Sequence, residues 1–325
     1  MTNALVEGVL AGRWRAIARL ISQVEDEDPA ARPALAALYP HTGRAHIVGV
    51  TGPPGSGKSS LVNRAALVWR AAGQKVGIVA VDPSSPFSGG ALLGDRVRMR
   101  DLAGDAGIFI RSMASRGHLG GLARTTGEAV RVLDAAGFGI ILVETVGAGQ
   151  AEVEVAAAAH TTLVVEAPGM GDDIQANKAG ILEIADILVV NKADRPGAEQ
   201  AAKALRAMLR LGLAAGRGQG PAADGAAAGW TVPVLQTVAT AGQGVEALAQ
   251  AVEAHGDHLK RSGGWQAREL ARSRAELTHL LQARLLAEIG RGAPADVIEE
   301  WVAAVAQREI DPYSAADSLF ERLQA

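Results

Sequence analysis

Gly52-Pro53-Pro54-Gly55-Ser56-Gly57-Lys58-Ser59 decides the fold. The stretch fits G-x-x-x-x-G-K-[ST], the Walker A pattern, and each residue type in it has a task. Glycines let backbone N–H groups curl around phosphates with no Cβ in the way. Lys58 reaches the β/γ oxygens, and the Ser59 hydroxyl suits Mg²⁺. Ser60 follows as the next residue of the predicted contact set. Before the loop, His46–Thr51 (HIVGVT) is a short apolar run that predicts a buried strand; after it, Ser60–Trp69 (SLVNRAALVW) predicts a helix. Strand, loop, helix is the context the motif needs, and the helix N-terminus adds partial positive charge under the phosphates.

Outward from the loop the pattern alternates. Further strands are predicted at Lys75–Val81, Ile108–Met113, Gly139–Glu144, Thr161–Glu166, Asp186–Asn191 and Thr231–Val238, with helical stretches between most of them. This is the pattern of an α/β fold with a mostly parallel sheet covered on both faces, whose ligands sit at the carboxyl ends of the strands. Ahead of the first strand, Leu5, Val9, Leu10, Trp14, Ile17 and Ile21 mark one helical face over residues 3–22. Asp28-Pro29 reads as an N-cap with proline at the first helical position. Residues 214–229, almost all Gly, Ala and Pro, predict a surface loop. From Gln266 the pattern is helical: Leu270, Leu277, Leu281 and Leu285 form a stripe, Ala293-Pro294 breaks it, and Val297–Val305 and Tyr313–Leu323 follow as helices. The expected organisation is a helical extension at 1–45, a nucleotide-binding domain at 46–262 and a helical region at 263–325.

Bulk properties exclude other classes. A net charge of −3 argues against a nucleic-acid footprint or an anionic-membrane patch. With no cysteine, disulfides and thiolate metal sites are excluded. No apolar stretch approaches the ~18 residues of a bilayer span, and the first residues lack a secretory pattern, so a cytoplasmic protein is expected.

A second motif chooses the base. Ile187–Val190 runs into Asn191-Lys192-Ala193-Asp194, the N-K-x-D pattern that reads guanine. The Asp194 carboxylate accepts from guanine N1–H and the 2-amino group; adenine would leave it desolvated and unpaired, a mismatch that discriminates strongly. The Lys192 stem lies over the base, and Asn191 braces the phosphate loop. Of only six lysines, two fall in these two motifs. The last guanine-contacting motif, S-A-x in G proteins, corresponds to Val238-Ala239-Thr240 here. A backbone N–H makes its main contact, so valine keeps specificity but removes a hydroxyl that steadies the turn, and looser binding is expected.

Three acids compete for Mg²⁺ and water. Glu144 ends the apolar run Ile140–Val143 at the Walker B position; Asp82 ends the Val76–Val81 run; Asp95 sits in the glycine-rich stretch Ser88–Arg96. The expected roles are Ser59 and Asp95 as ligands, Glu144 holding a water of the metal's shell, and Asp82 orienting the attacking water. The Gly147 N–H is placed to sense the γ-phosphate. No arginine declares itself a catalytic finger, although Arg96, Arg98 and Arg111 are available. Hydrolysis is therefore expected to be slow alone and faster with a partner. His255 and His258 lie on one helix and read as a solvated face, with a surface metal pair as the alternative.

Taken together, GPPGSGKSS, VDPSSPFSGGALLGDRVRM, GHLGGLARTTGEAV, ILVETVGAGQAEVEV, APGMGDDIQANKAGILEIADILVVNKAD and the helical tail resemble the MeaB/ArgK-type G proteins over nearly the whole chain. The resemblance implies a P-loop GTPase of the SIMIBI class, homodimeric through its C-terminal helices, with Mg²⁺ and GTP or GDP bound. It implies a partner, an adenosylcobalamin-dependent acyl-CoA mutase (methylmalonyl-CoA mutase or a close relative), whose cofactor loading and protection are gated by GTP. No B12 is expected on this chain alone. The family's third switch corresponds to Pro168–Gly180, where Asp172, Asp173, Gln175 and Lys178 are expected to report nucleotide state. A metallochaperone GTPase would share the fold but call for a His-rich tract or Cys ligands, whereas the seven histidines are scattered. A nucleotide-gated scaffold with negligible turnover is the other alternative.

Overall fold

Both faces of every central strand are apolar in alternation, and that pattern sets the architecture. The computed structural model describes residues 2–82, 102, 104–114, 124–145, 151–169, 183–214, 229–292 and 295–324. Its strands are β1 (His46–Thr51), β2 (Val76–Asp82), β3 (Ile108–Ala114), β4 (Ile140–Thr145), β5 (Thr161–Glu166), β6 (Ile187–Asn191) and β7 (Val234–Thr237). They form one sheet in the order β3-β2-β4-β1-β5-β6-β7, with every pairing parallel. Each predicted strand is present, with ends shifted by one residue in most cases and by more in β7.

The helices of the first part of the chain are α1 (Thr2–Leu10), α2 (Trp14–Glu25), α3 (Ala31–Leu38), α4 (Lys58–Ala71), α5 (Arg124–Ala135), α6 (Ala151–Ala158), α7 (Ala198–Ala214) and α8 (Val245–Ser262). Ile47, Val79, Val81, Ile141 and Val143 face a core shared with α1–α3, α5 and α6. Their neighbours Val48, Val50, Ile78, Ile140 and Leu142 face the opposite core, with Leu61, Ala65 and Trp69 of α4 and Leu248 and Val252 of α8. A period of two with both partners buried is how a parallel sheet hides its backbone. A smaller cluster joins Val164, Leu188 and Val190 to Ala198, Ala202 and Leu205 of α7.

The single helix expected over 3–22 is corrected to two. Gly12 takes a left-handed φ of 67°, its N–H bonds Val9 O at 2.8 Å, and Arg13 N–H bonds Gly8 O at 2.9 Å. This glycine-terminated cap ends α1. Leu10 and Trp14, counted on the buried face from their spacing, are exposed. Asp28 does accept the N–H of Ala30, at 2.9 Å, so it initiates the turn into α3 although the helix proper begins at Ala31.

The chain divides into two compact units, Met1–Glu269 and Leu270–Ala325. Helix α9 (Gly264–Gly292) begins in the first and continues into the second, which also holds α10 (Ala295–Ala306) and α11 (Pro312–Gln324). In the second unit the Asp311 carboxylate caps α11, accepting from Tyr313 N and Ser314 N at 2.9 and 3.1 Å. Leu270, Leu277, Leu281 and Leu285 are all exposed. Among the described residues no helix is long and apolar enough to cross a membrane.

Candidate functional site

The carboxyl ends of β1, β4, β6 and β7 meet at one rim of the sheet, and the predicted motifs converge there. Gly52 leaves β1 with φ 133°, and a Cβ at this position would drive into the Val165 carbonyl of β5. Gly57 caps α4 at φ 93°, and a Cβ there would collide with the Asn191 amide. Only glycine fits either place. Ser56 is fully buried. Lys58, the first residue of α4, is also buried, and its ammonium donates to Gly52 O at 2.8 Å and Pro53 O at 3.0 Å. From α4 to β4, Ser59 Oγ donates to Glu144 Oε1 at 2.6 Å, and Glu144 is 4% exposed. Beside them Thr145 Oγ1 donates to Thr51 Oγ1 at 3.4 Å, joining the strand ends below the loop.

Asn191 is the hub. Its amide N–H donates to Ser56 O at 2.9 Å, and its Oδ1 accepts from Thr237 Oγ1 and from Ala239 N, each at 3.1 Å. One buried side chain thus ties the phosphate loop, the end of β6 and the turn after β7. Lys192, in a left-handed conformation (φ 57°), donates its ammonium to Gly55 O at 2.6 Å. Asp194 is exposed. At 238–240, Val238 N–H bonds Gln243 O at 3.0 Å and Ala241 N–H bonds Val238 O at 3.0 Å. A backbone bridge pins this turn where a serine hydroxyl would otherwise do so. The carbonyl of exposed Thr240 accepts from the Arg64 guanidinium of α4 at 3.3 Å.

The structure therefore brings together Gly52, Pro53, Gly55, Ser56, Gly57, Lys58, Ser59, Glu144, Asn191, Lys192, Val238 and Ala239. Pro54 and Ser60 lie in the same loop-and-helix segment. Asp82 ends β2, two strands from β1, and only its backbone is described. Asp95, Gly147, Asp172, Asp173, Gln175, Lys178, Arg96 and Arg98 lie outside the described residues. Arg111 is not available as a finger: its guanidinium pairs with Glu25 and donates to Ser22 Oγ at 3.1 Å, both on α2. Sequence reading missed Thr237, Thr51 and Thr145. Their only signal was a threonine at the last or first position after an apolar run.

The reading of His255 and His258 as a solvated face is also overturned. His255 is 1% exposed and bonds Thr161 Oγ1 at 2.8 Å. Among the described residues no group of three or more His, Asp or Glu side chains is placed to hold a metal ion.

A parallel sheet in this order, with a phosphate loop braced by the asparagine of N-K-x-D, defines a P-loop GTPase. The chain belongs to the family described as methylmalonyl Co-A mutase-associated GTPase MeaB, whose model matches residues 17–293. A Pyrococcus abyssi protein named as a GTPase is 43% identical over 323 residues, 99% of this chain and 97% of its own. The Escherichia coli GTPase ArgK is 41% identical over 187 residues, 56% of each chain. Among solved structures, one of a LAO/AO transport system kinase superposes with a TM-score of 0.75 at 24% identity, over 100% of this chain and 98% of that one, and so has the same fold.

Proposed function

We propose that this GTPase binds an adenosylcobalamin-dependent acyl-CoA mutase, methylmalonyl-CoA mutase or a close relative, and that GTP binding and hydrolysis gate cofactor loading and protect the mutase. The nucleotide half rests on one observation: Asn191 joins the phosphate loop to the base-reading turn while Asp194 stays exposed. The mutase half rests on the family's description. We place the activity in the cytoplasm.

In this reading the nucleotide lies across residues 52–60, with guanine on Asp194, Lys192 and the 238–240 turn. Lys58 exchanges its two carbonyl partners for β/γ oxygens. Ser59 and Glu144 present hard oxygen donors 2.6 Å apart, a set that suits Mg²⁺, with Asp95 and Asp82 assigned beside them. The cation, when bound, neutralises charge on the phosphate oxygens. Glu144 fixes the Ser59 hydroxyl, Asp82 orients the attacking water and the Gly147 N–H meets the γ-phosphate. Asp172, Asp173, Gln175 and Lys178 report the state of the site to the partner. Residues 1–45, 46–262 and 263–325 divide as helical extension, GTP-binding domain and dimerisation region, the exposed leucines of α9 supplying an apolar face for a second copy.

Co-purification tests the proposal. With a non-hydrolysable GTP analogue, the tagged protein should retain an adenosylcobalamin-dependent methylmalonyl-CoA mutase, and mutase should raise phosphate release at least about tenfold. Retention without turnover would make the chain a scaffold. No retention in any nucleotide state, with an unchanged rate, would overturn the mutase assignment and leave the GTPase intact.

A further inference from the structure

The opposite end of the sheet holds a second polar constellation that nucleotide chemistry does not use. His46 opens β1, His160 precedes β5, Thr161 opens β5 and Asp186 precedes β6; parallel strands bring these starts side by side. His46 Nε2 lies 2.6 Å from Thr161 Oγ1, which lies 2.8 Å from His255 Nδ1 of α8. His255 Nε2 faces Asp186 Oδ1 at 3.4 Å. Asp186 grips Arg268 of α9 through two 2.7 Å bonds, and accepts Thr162 N–H at 2.8 Å. The next residue, Glu269, reaches His160 Nε2 at 2.6 Å, and Trp265 stacks on the His160 ring at 3.7 Å between centroids, 15° from parallel. Lys260 sits over Trp265 at 5.1 Å. The Trp230 ring lies 4.7 Å from His255 and 5.5 Å from His258 between centroids, and its N–H donates to Asp186 O at 2.9 Å.

The bonding order suits neutral rings. Ile47 N–H donates to His160 Nδ1 at 3.0 Å, so the ring's one proton is on Nε2, facing Glu269. The His255 Nε2–H points to the Asp186 carboxylate at 3.4 Å. Nδ1 then accepts from the Thr161 hydroxyl, whose oxygen accepts from His46 Nε2–H. A proton added to His160 Nδ1 would confront a backbone N–H. One added to His255 Nδ1 would force the Thr161 hydroxyl to reverse onto the proton of His46.

We propose that this cluster is a proton-released clamp: neutral histidines hold the first turn of α9 (264–269) against the base of the sheet, and acidification lets that turn go while the nucleotide rim stays folded. The groups facing the rings are Asp186 ahead of β6, Lys260 and His258 on α8, and Arg268 and Glu269 on α9, with His46 and His160 facing each other at 6.1 Å. Burial first, then the neighbouring histidines, Lys260 and Arg268, push His46 down to about 3. Burial also pushes His255 to about 4, offset only in part by Asp186. With free histidine at about 6.5, opening that restores both rings raises the open-to-closed ratio up to roughly 70-fold between pH 7 and 5.5.

The chain has no cysteine and Gln266 is exposed, so a Gln266→Cys spin label reports on the turn alone. The mobile spectral component should grow from pH 7 to 5.5, while fluorescent GDP binding persists. His46→Gln with His255→Gln should lose most of that response. Should the double variant fail to fold, hydrogen exchange of wild-type 265–276, corrected for intrinsic rate and referenced to α4, gives the same answer. A label unchanged down to pH 5, a double variant with wild-type response, α9 protection that tracks α4, or mobility gained only together with loss of GDP binding would overturn the clamp.

Discussion

Ser59 Oγ donates a 2.6 Å hydrogen bond to Glu144 Oε1 across 85 residues of chain. The contact places the hydroxyl of the phosphate loop against the acid near the carboxyl end of β4, and parallel register fixes it, since Glu144 pairs with Val50, two residues before Gly52. The acid is therefore held by the sheet rather than by a loop.

Glu144→Gln keeps the shape and the acceptor for Ser59 but removes the charge. Hydrolysis should fall by about 10² or more, the usual scale for a lost acid–base or charge-stabilising group. GDP affinity measured without magnesium should change little. Single-turnover phosphate release and GDP titration separate the two; equal losses in both would mean that Glu144 acts on folding of the rim.

Asn191→Ala should weaken GTP and GDP alike. The substitution leaves Ser56 O, Thr237 Oγ1 and Ala239 N without their buried partner. Unsatisfied buried groups cost about 1–3 kcal/mol each, so a loss of at least about tenfold in affinity and a lower melting temperature are expected. Calorimetry with both nucleotides checks it.

The strands were legible because each carries apolar residues on both faces, bounded by glycine or a polar turn: HIVGVT, TTLVVE and ILVVN read directly. The rim was legible because phosphate and guanine impose fixed residue types at fixed spacings. The break at Gly12 was not, since Leu10 and Trp14 happen to keep the helical phase of Val9 and Ile17 while lying outside the core. Nor was the histidine cluster. Its members are spread from 46 to 258 and meet only because β1, β5 and β6 are sheet neighbours, an order no local pattern encodes.

Asp194→Asn should move base preference from guanine toward xanthine. The carboxylate accepts two donors from guanine; the amide presents one donor and meets the xanthine carbonyl. GTP affinity should fall at least about 100-fold while XTP gains, as expected when a polar site loses its matched partner. Competition between GTP and XTP for a fluorescent analogue measures it, and unchanged GTP preference would remove Asp194 from the base site.

Acid should destabilise the first unit through the buried rings. His46 and His255 lie at about 3 and about 4 in the folded chain, below their unfolded value. A depressed histidine binds fewer protons folded than unfolded, so its stabilising contribution is whole above about pH 6.5 and shrinks as pH falls. The loss continues to about pH 4 for His255 and about 3 for His46, where each stops changing. In the window between pH 6.5 and 4 the two together cost up to about 2.7 kcal/mol per pH unit. Thermal melts at pH 7 and 5.5 should differ by several degrees, and His255→Gln should remove about half of that difference. Arg268→Ala should lower the melt at both pH values, because it takes the cationic partner from the buried Asp186 carboxylate at a cost of about 3 kcal/mol. A melt that rises on acidification would mean that carboxylates elsewhere, not these rings, govern the response.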